Sequence, residues 1–249
     1  MGKPSAVRLS ILMMLAALLV PSLARAETIS VAVAANFTQT AEDLAQLFKA
    51  ESGHDIRLSF GSTGQLYAQI TQGAPFQVFL AADDERPARL VVEGWGVEGT
   101  LFTYALGALA LYGASSDVSN GEAVLRAGEF RKLAIADPIS APYGQAAVET
   151  LQQLGLLEAV EPKLVTGENI GQTLQFVESG SAELGFVAAS QIVGKTGIWR
   201  VPEQFHAPIR QDAVLLLEGE SSTAARLFLE FLRSDKARAV IRASGYGVD

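Results

Sequence analysis

The stretch Ile29-Ser30-Val31-Ala32-Val33-Ala34-Ala35-Asn36-Phe37-Thr38 decides the fold. Ile29 to Ala35 is almost wholly apolar, as expected of a strand covered on both faces. Phe37, Ala41, Leu44 and Phe48 then recur at helical spacing. A buried strand that turns at once into an amphipathic helix is the unit of an α/β protein with mainly parallel sheets.

The same unit returns along the chain. Strands are expected at Asp55 to Phe60, Gln77 to Ala82, Lys132 to Ala136, Lys163 to Thr166 and Leu184 to Val187. Helices are expected near Glu85 to Glu93, Gln145 to Leu154, Gly171 to Glu178, Ser222 to Arg233 and Asp235 to Ala243. Two longer apolar runs, Leu101 to Tyr112 and Ala213 to Leu217, interrupt the rhythm and read as strands that cross between two α/β units. This gives two doubly wound lobes. Residues 27–106 and 211–249 form the first, residues 107–210 the second. A single larger doubly wound domain is the alternative. In both arrangements ligands lie at the carboxyl ends of the parallel strands.

Four strand-to-helix junctions fall there: Ala34-Ala35-Asn36-Phe37-Thr38, Phe60-Gly61-Ser62-Thr63-Gly64, Pro142-Tyr143-Gly144-Gln145 and Asn169-Ile170-Gly171-Gln172. None contains Lys, Arg or His. The first N–H groups of a helix lack intrahelical partners and carry partial positive charge, so several aimed at one point hold an anion without a formal charge. The pattern points to capture of a small oxyanion rather than to chemistry.

Residues 1–26 read as a secretory signal peptide, outside the fold. Lys3 and Arg8 give the basic start, Ile11 to Val20 the apolar run, and Ala24-Arg25-Ala26 the cleavage site. A retained N-terminal anchor is the lesser alternative. The chain has no cysteine, which excludes disulfides, thiolate metal sites, Cys nucleophiles and a lipid-bearing Cys at the mature end. The formal charge is −8, and loss of Lys3, Arg8 and Arg25 with no acid takes it three units lower, to −11. So acidic a chain is a poor match for nucleic acid or an anionic membrane. A closed cleft lined by dipoles escapes this objection, because distant exposed charge is screened.

Single residues carry competing readings. Asn36 alone reads as a helix cap. Ser62 and Thr63 between Gly61 and Gly64 say more, because the glycines admit a close ligand and the hydroxyls add donors. Tyr143 reads equally as a packing aromatic or as a ligand donor, and Ile170 offers only its N–H. His54 and His206 read as surface residues, and Asp83-Asp84-Glu85 as the acidic start of a helix. A periplasmic hydrolase with Ser62 as nucleophile is the alternative from another class, but it needs a base within reach.

At these residues the chain resembles the periplasmic molybdate-binding proteins of ABC transporters. The landmarks are Val33-Ala34-Ala35-Asn36-Phe37, Phe60-Gly61-Ser62-Thr63-Gly64, Gly73-Ala74-Pro75-Phe76-Gln77-Val78-Phe79, Ala136-Asp137-Pro138, Pro142-Tyr143-Gly144 and Leu184-Gly185-Phe186-Val187. The resemblance implies a class II periplasmic-binding fold with molybdate or tungstate between the lobes. It implies contacts from Asn36, Ser62, Thr63, Tyr143 and Ile170, with molybdenum held only as its oxyanion. Many members place a ligand-binding Tyr where this chain has Ala188. Another branch supplies that hydroxyl from the Pro-Tyr-Gly loop, and Asn36, Tyr143 and Ala188 together look like that branch. No cofactor is implied. The implied partner is the membrane permease, and the expected state is a monomer. Sulfate or another tetrahedral oxyanion is the alternative ligand.

Overall fold

A computed structural model describes residues 26–248, so the expected signal peptide lies almost wholly outside the described residues. The chain opens with β1 (Thr28–Ala34), a 3-10 turn at Ala35–Phe37 and α1 (Thr38–Ser52), which ends on Gly53 at φ 75°. Next come β2 (Asp55–Gly61), α2 (Thr63–Thr71), β3 (Val78–Leu80) and α3 (Glu85–Val92). They lead through β4 (Phe102–Gly107) into β5 (Leu109–Tyr112). The middle of the chain holds α4 (Gly121–Ala127), β6 (Leu133–Ala136), α5 (Pro142–Gln153), α6 (Leu157–Val160), β7 (Leu164–Gly167) and α7 (Ile170–Glu178). It ends with β8 (Leu184–Ala188), β9 (Trp199–Arg200), β10 (Ile209–Leu215), α8 (Thr223–Leu232) and α9 (Asp235–Ala243).

Among the described residues these strands form two five-stranded sheets, ordered β2-β1-β3-β10-β4 and β7-β6-β8-β5-β9. The fold is therefore two α/β lobes. The sheets are less parallel than the sequence rhythm suggests. β1 runs parallel to β2 and β3, and β6 runs parallel to β7 and β8, but β10 lies antiparallel to β3 and β4. β5 is likewise antiparallel to β8 and β9. The antiparallel strands are the ones that cross between lobes.

The Leu101 to Tyr112 run is two strands, not one. It breaks at Ala108, with β4 in the first sheet and β5 in the second. β10 starts at Ile209, four residues before the apolar run. Gln211 and Asp212 are buried between β3 and β4, so pairing on both sides extends the strand through polar residues. α5 starts at Pro142, three residues earlier than expected, because a proline at the first helical position loses no bond.

Each lobe has its own core. Ile29, Val31, Val33, Phe37, Leu44 and Phe228 belong to the first, and Leu111, Leu133, Ile135, Leu151 and Phe186 to the second. The second cluster also takes in Ala34 and Ala82 from the first lobe beside Tyr143 and Ile170. The lobes thus meet at the strand ends. His54 departs from its surface reading. It is buried against Phe48, and its Nδ1 accepts the Glu27 N–H at 3.0 Å.

Candidate oxyanion site between the lobes

Strand register brings the four junctions together in pairs. Ala34 lies beside Gly61 in the first sheet, which sets the Ala35–Phe37 turn next to the start of α2. Ala136 lies beside Gly167 in the second, which sets the start of α5 next to that of α7. The two pairs then face each other. A Cβ on Gly171 would stand 3.9 Å from the Ala35 Cβ. Across the same seam, Gly64 N–H donates to the Ser140 carbonyl at 2.8 Å and Arg86 Nη2 to the Ile139 carbonyl at 2.8 Å. The lobes are closed, and Asn36, Ser62, Thr63, Tyr143 and Ile170 are each at most 6% exposed.

The hydrogen bonds at each helix start decide which donors remain. Asn169 Oδ1 accepts from Gly171 N–H at 2.9 Å and Gln172 N–H at 3.1 Å, leaving the Ile170 N–H at the tip of α7. Pro142 has no N–H, and the Ala141 carbonyl takes those of Gly144 and Gln145, which leaves the Tyr143 N–H. Ser62 forms a capping box with Gln65, so its main work is to shape α2. Thr63 Oγ1 accepts the Ala82 N–H at 3.0 Å and keeps its own proton. Its N–H is one of the orphans of the first turn.

Asn36 is no side-chain cap. Its Nδ2 donates to Gln211 Oε1 at 2.9 Å and to the Tyr246 hydroxyl at 3.1 Å, which uses both amide protons. Its backbone N–H lies in the first turn of the 3-10 helix that follows β1, without an intrahelical partner. Tyr246 donates to the Asn36 carbonyl at 2.7 Å and accepts from Ser190 Oγ at 2.9 Å. Tyr104 shares its proton between the Ala81 carbonyl at 2.9 Å and Gln211 Oε1 at 3.2 Å. Gln211 Nε2 donates to the Tyr143 hydroxyl oxygen at 3.1 Å.

Burial is the main cause that raises Tyr104, Tyr143 and Tyr246 above the usual tyrosine range, so all three are neutral donors. Phe37 holds the Tyr104 and Tyr246 rings edge-on, with centroids at 4.9 and 5.2 Å. Sequence reasoning missed Gln211, Tyr104, Tyr246 and Ser190. Their partners lie up to 210 residues away in the chain. The only local signal was a polar pair, Gln211-Asp212, heading an apolar strand.

Ala188 is fully buried and brings no donor. A separate cavity of about 140 Å³ adjoins Ala82 and Pro142 but contains none of the five candidates. It is lined by Asp83, Arg86 and Arg210, charged residues that pair with one another or with Asp84. Asp83 rather than Asp84 caps α3, through the Arg86 N–H at 3.0 Å.

Residues 29–247 match the family model described as bacterial extracellular solute-binding protein. The chain belongs to that family. Within it, the molybdate-binding protein ModA of Rhodobacter capsulatus is 49% identical over 226 residues, which covers 90% of this chain and 89% of that protein. The protein of the same name from Azotobacter vinelandii is also 49% identical, over 90% and 92% of the two chains. A solved periplasmic molybdate-binding protein of Azotobacter vinelandii superposes with a TM-score of 0.86 at 37% identity, over 89% of this chain and 99% of that one. The resemblance read from the junctions therefore extends over the full length of the family fold.

Proposed function

We propose that this solute-binding protein captures molybdate, and tungstate with it, in the periplasm and delivers it to the membrane permease of an ABC transporter. The observation that carries this reading is the inventory of unspent donors. The N–H groups of Asn36, Thr63, Tyr143 and Ile170 and the hydroxyl protons of Thr63 and Tyr143 find no acceptor within the described residues, and they belong to four buried helix starts at the lobe seam. Every one is a neutral donor. A fully deprotonated tetrahedral dianion offers only acceptors and suits such a set. A protonated phosphate would need a local acceptor for its proton. The names of the relatives favour molybdate over sulfate.

Asn36 acts through its backbone, since its side chain is spent within the protein. Ser62 holds the turn that presents Thr63. Residues 27–106 with 211–249 and residues 107–210 act as the two closing lobes, cleavage after Ala26 releases the mature chain, and it works as a monomer without catalysis. For the hydrolase alternative, His54 is out of reach as a base. His54 sits at the far end of the seven-residue β2 from Ser62, roughly 23 Å away at the usual rise per residue.

Calorimetric titration of the mature chain with molybdate, tungstate and sulfate tests the reading. Molybdate and tungstate should bind tightly and alike, and sulfate far more weakly. Sulfate binding equal to molybdate would overturn the choice of ligand. No binding of any of the three would overturn capture itself.

A further inference from the structure

Gln211 is the buried residue that the five candidates leave unexplained. It is 0% exposed and sits on β10 at an irregularity in the ladder. Gln211 pairs with Ala105 and Asp212 with Thr103, so Tyr104 is an extra residue on β4. A bulge of this kind re-aims side chains and is typical beside functional sites. Here it lets Tyr104 and Gln211 meet from neighbouring strands, at the point where β10 passes the start of α5.

The direction of the Gln211 amide follows from proton counting. The single Tyr246 proton goes to the Asn36 carbonyl at 2.7 Å, so Tyr246 can only accept from the Asn36 side chain. Asn36 must therefore present Nδ2 to Tyr246, and the same Nδ2 faces Gln211. Gln211 must answer with Oε1, which also accepts from Tyr104. Its Nε2 is then fixed on the Tyr143 oxygen. An amide cannot reverse in this chain without setting donor against donor.

We infer that Gln211 is a positioning residue that commits the Tyr143 hydroxyl proton to the bound oxyanion. By donating to the Tyr143 oxygen, it fills an acceptor position of that hydroxyl. The proton must then seek an acceptor elsewhere, and the oxyanion provides one. A carboxylate in the same place would accept the proton and turn it away from the ligand. The chain Tyr246–Asn36–Gln211–Tyr143 also links the first-lobe junction to the second. This inference rests on the oxyanion-binding reading of Tyr143 given above.

The test is a double-mutant cycle of Gln211→Glu and Tyr143→Phe, read as molybdate affinity by calorimetry between pH 5.5 and 9.5. The titratable groups near Gln211 are the hydroxyls of Tyr104, Tyr143 and Tyr246, with the carboxyls of Asp212 and Asp83 acting on Tyr104. In the native background, Tyr143→Phe should weaken binding ten- to hundredfold. In the Gln211→Glu background at pH 9.5 the same change should cost less than about twofold, because the introduced carboxylate already holds the proton. Charge repulsion by that carboxylate is common to both members of the second pair and cancels. On acidification Gln211→Glu should regain affinity, since a protonated carboxyl can donate to Tyr143 as the amide does, while the native protein stays flat. Equal costs of Tyr143→Phe in both backgrounds, or a flat pH profile for Gln211→Glu, would overturn the inference. Native protein that binds no molybdate would instead remove the functional reading beneath it.

Discussion

The α2 and α5 junctions are built alike and fitted differently. Each has a glycine in the first turn of a helix that follows a strand, Gly64 after Thr63 and Gly144 after Tyr143. A Cβ on Gly64 would lie 2.9 Å from the Ser140 Cα, in the opposite lobe. A Cβ on Gly144 would lie 2.2 Å from the Ala136 carbonyl oxygen, at the end of its own sheet's strand. One glycine makes room for closure and the other for the fold of a single lobe. The same sequence signal therefore serves two levels of structure, and only the contact partner tells them apart.

The largest effect on binding should come from Gly64→Ala. Overpacking costs about 1–3 kcal/mol, falls on the closed state alone, and strains the Gly64 to Ser140 hydrogen bond as well. Molybdate affinity should drop by roughly 30- to 1000-fold. Ligand-free thermal stability should hold, since alanine suits a helix better than glycine. A melting curve that falls together with affinity would place the clash inside one lobe. Gly144→Ala should show the opposite pattern, a loss of about 1–3 kcal/mol in the ligand-free protein, several degrees of melting temperature. Normal ligand-free stability in that variant would break the contrast.

Tyr143→Phe comes next. A hydrogen bond to a charged group contributes about 1.5–3 kcal/mol, so affinity should fall ten- to hundredfold while the ring keeps its packing. Wild-type affinity in calorimetry would return Tyr143 to a purely packing role. Rescue by Ala188→Tyr is not expected, because Ala188 is fully buried in the second core and a ring there would overpack it.

The smallest effect should be that of pH. Burial holds the Tyr104, Tyr143 and Tyr246 hydroxyls above their usual range, so each stays protonated and able to donate. Affinity should be flat from about pH 6 to 9, near the unfolded tyrosine value of about 10 at its upper end. The signs agree for stability. These neutral hydroxyls favour the native state below the unfolded value, and that contribution is lost as pH rises toward the folded ones. A titration of affinity within the range 6 to 9 would mean that another group gates the site.

The junctions were legible because their cause is local. A run of apolar residues, a small polar turn and a helical repeat can be read within ten residues, and Ser62 and Asn169 cap the helices as such residues do. The helix-cap reading of Asn36 failed for a non-local reason, since its side-chain partners Gln211 and Tyr246 are 175 and 210 residues away. The start of β10 was missed for the same cause. Polar Gln211 and Asp212 look like loop residues until β3 and β4 enclose them. The helix α4 went unread because its core is little more than Leu125 and a glycine, Gly121, on which Trp199 packs from 78 residues later.

The most direct test of the account is the salt dependence of molybdate binding by the mature protein. If neutral N–H and O–H donors in a closed cleft carry the affinity, calorimetry in low and in moderate sodium chloride should give the same tight binding, because a buried site is screened little. A steep loss of affinity with salt would show that exposed basic residues hold the anion, and would contradict the neutral-donor site.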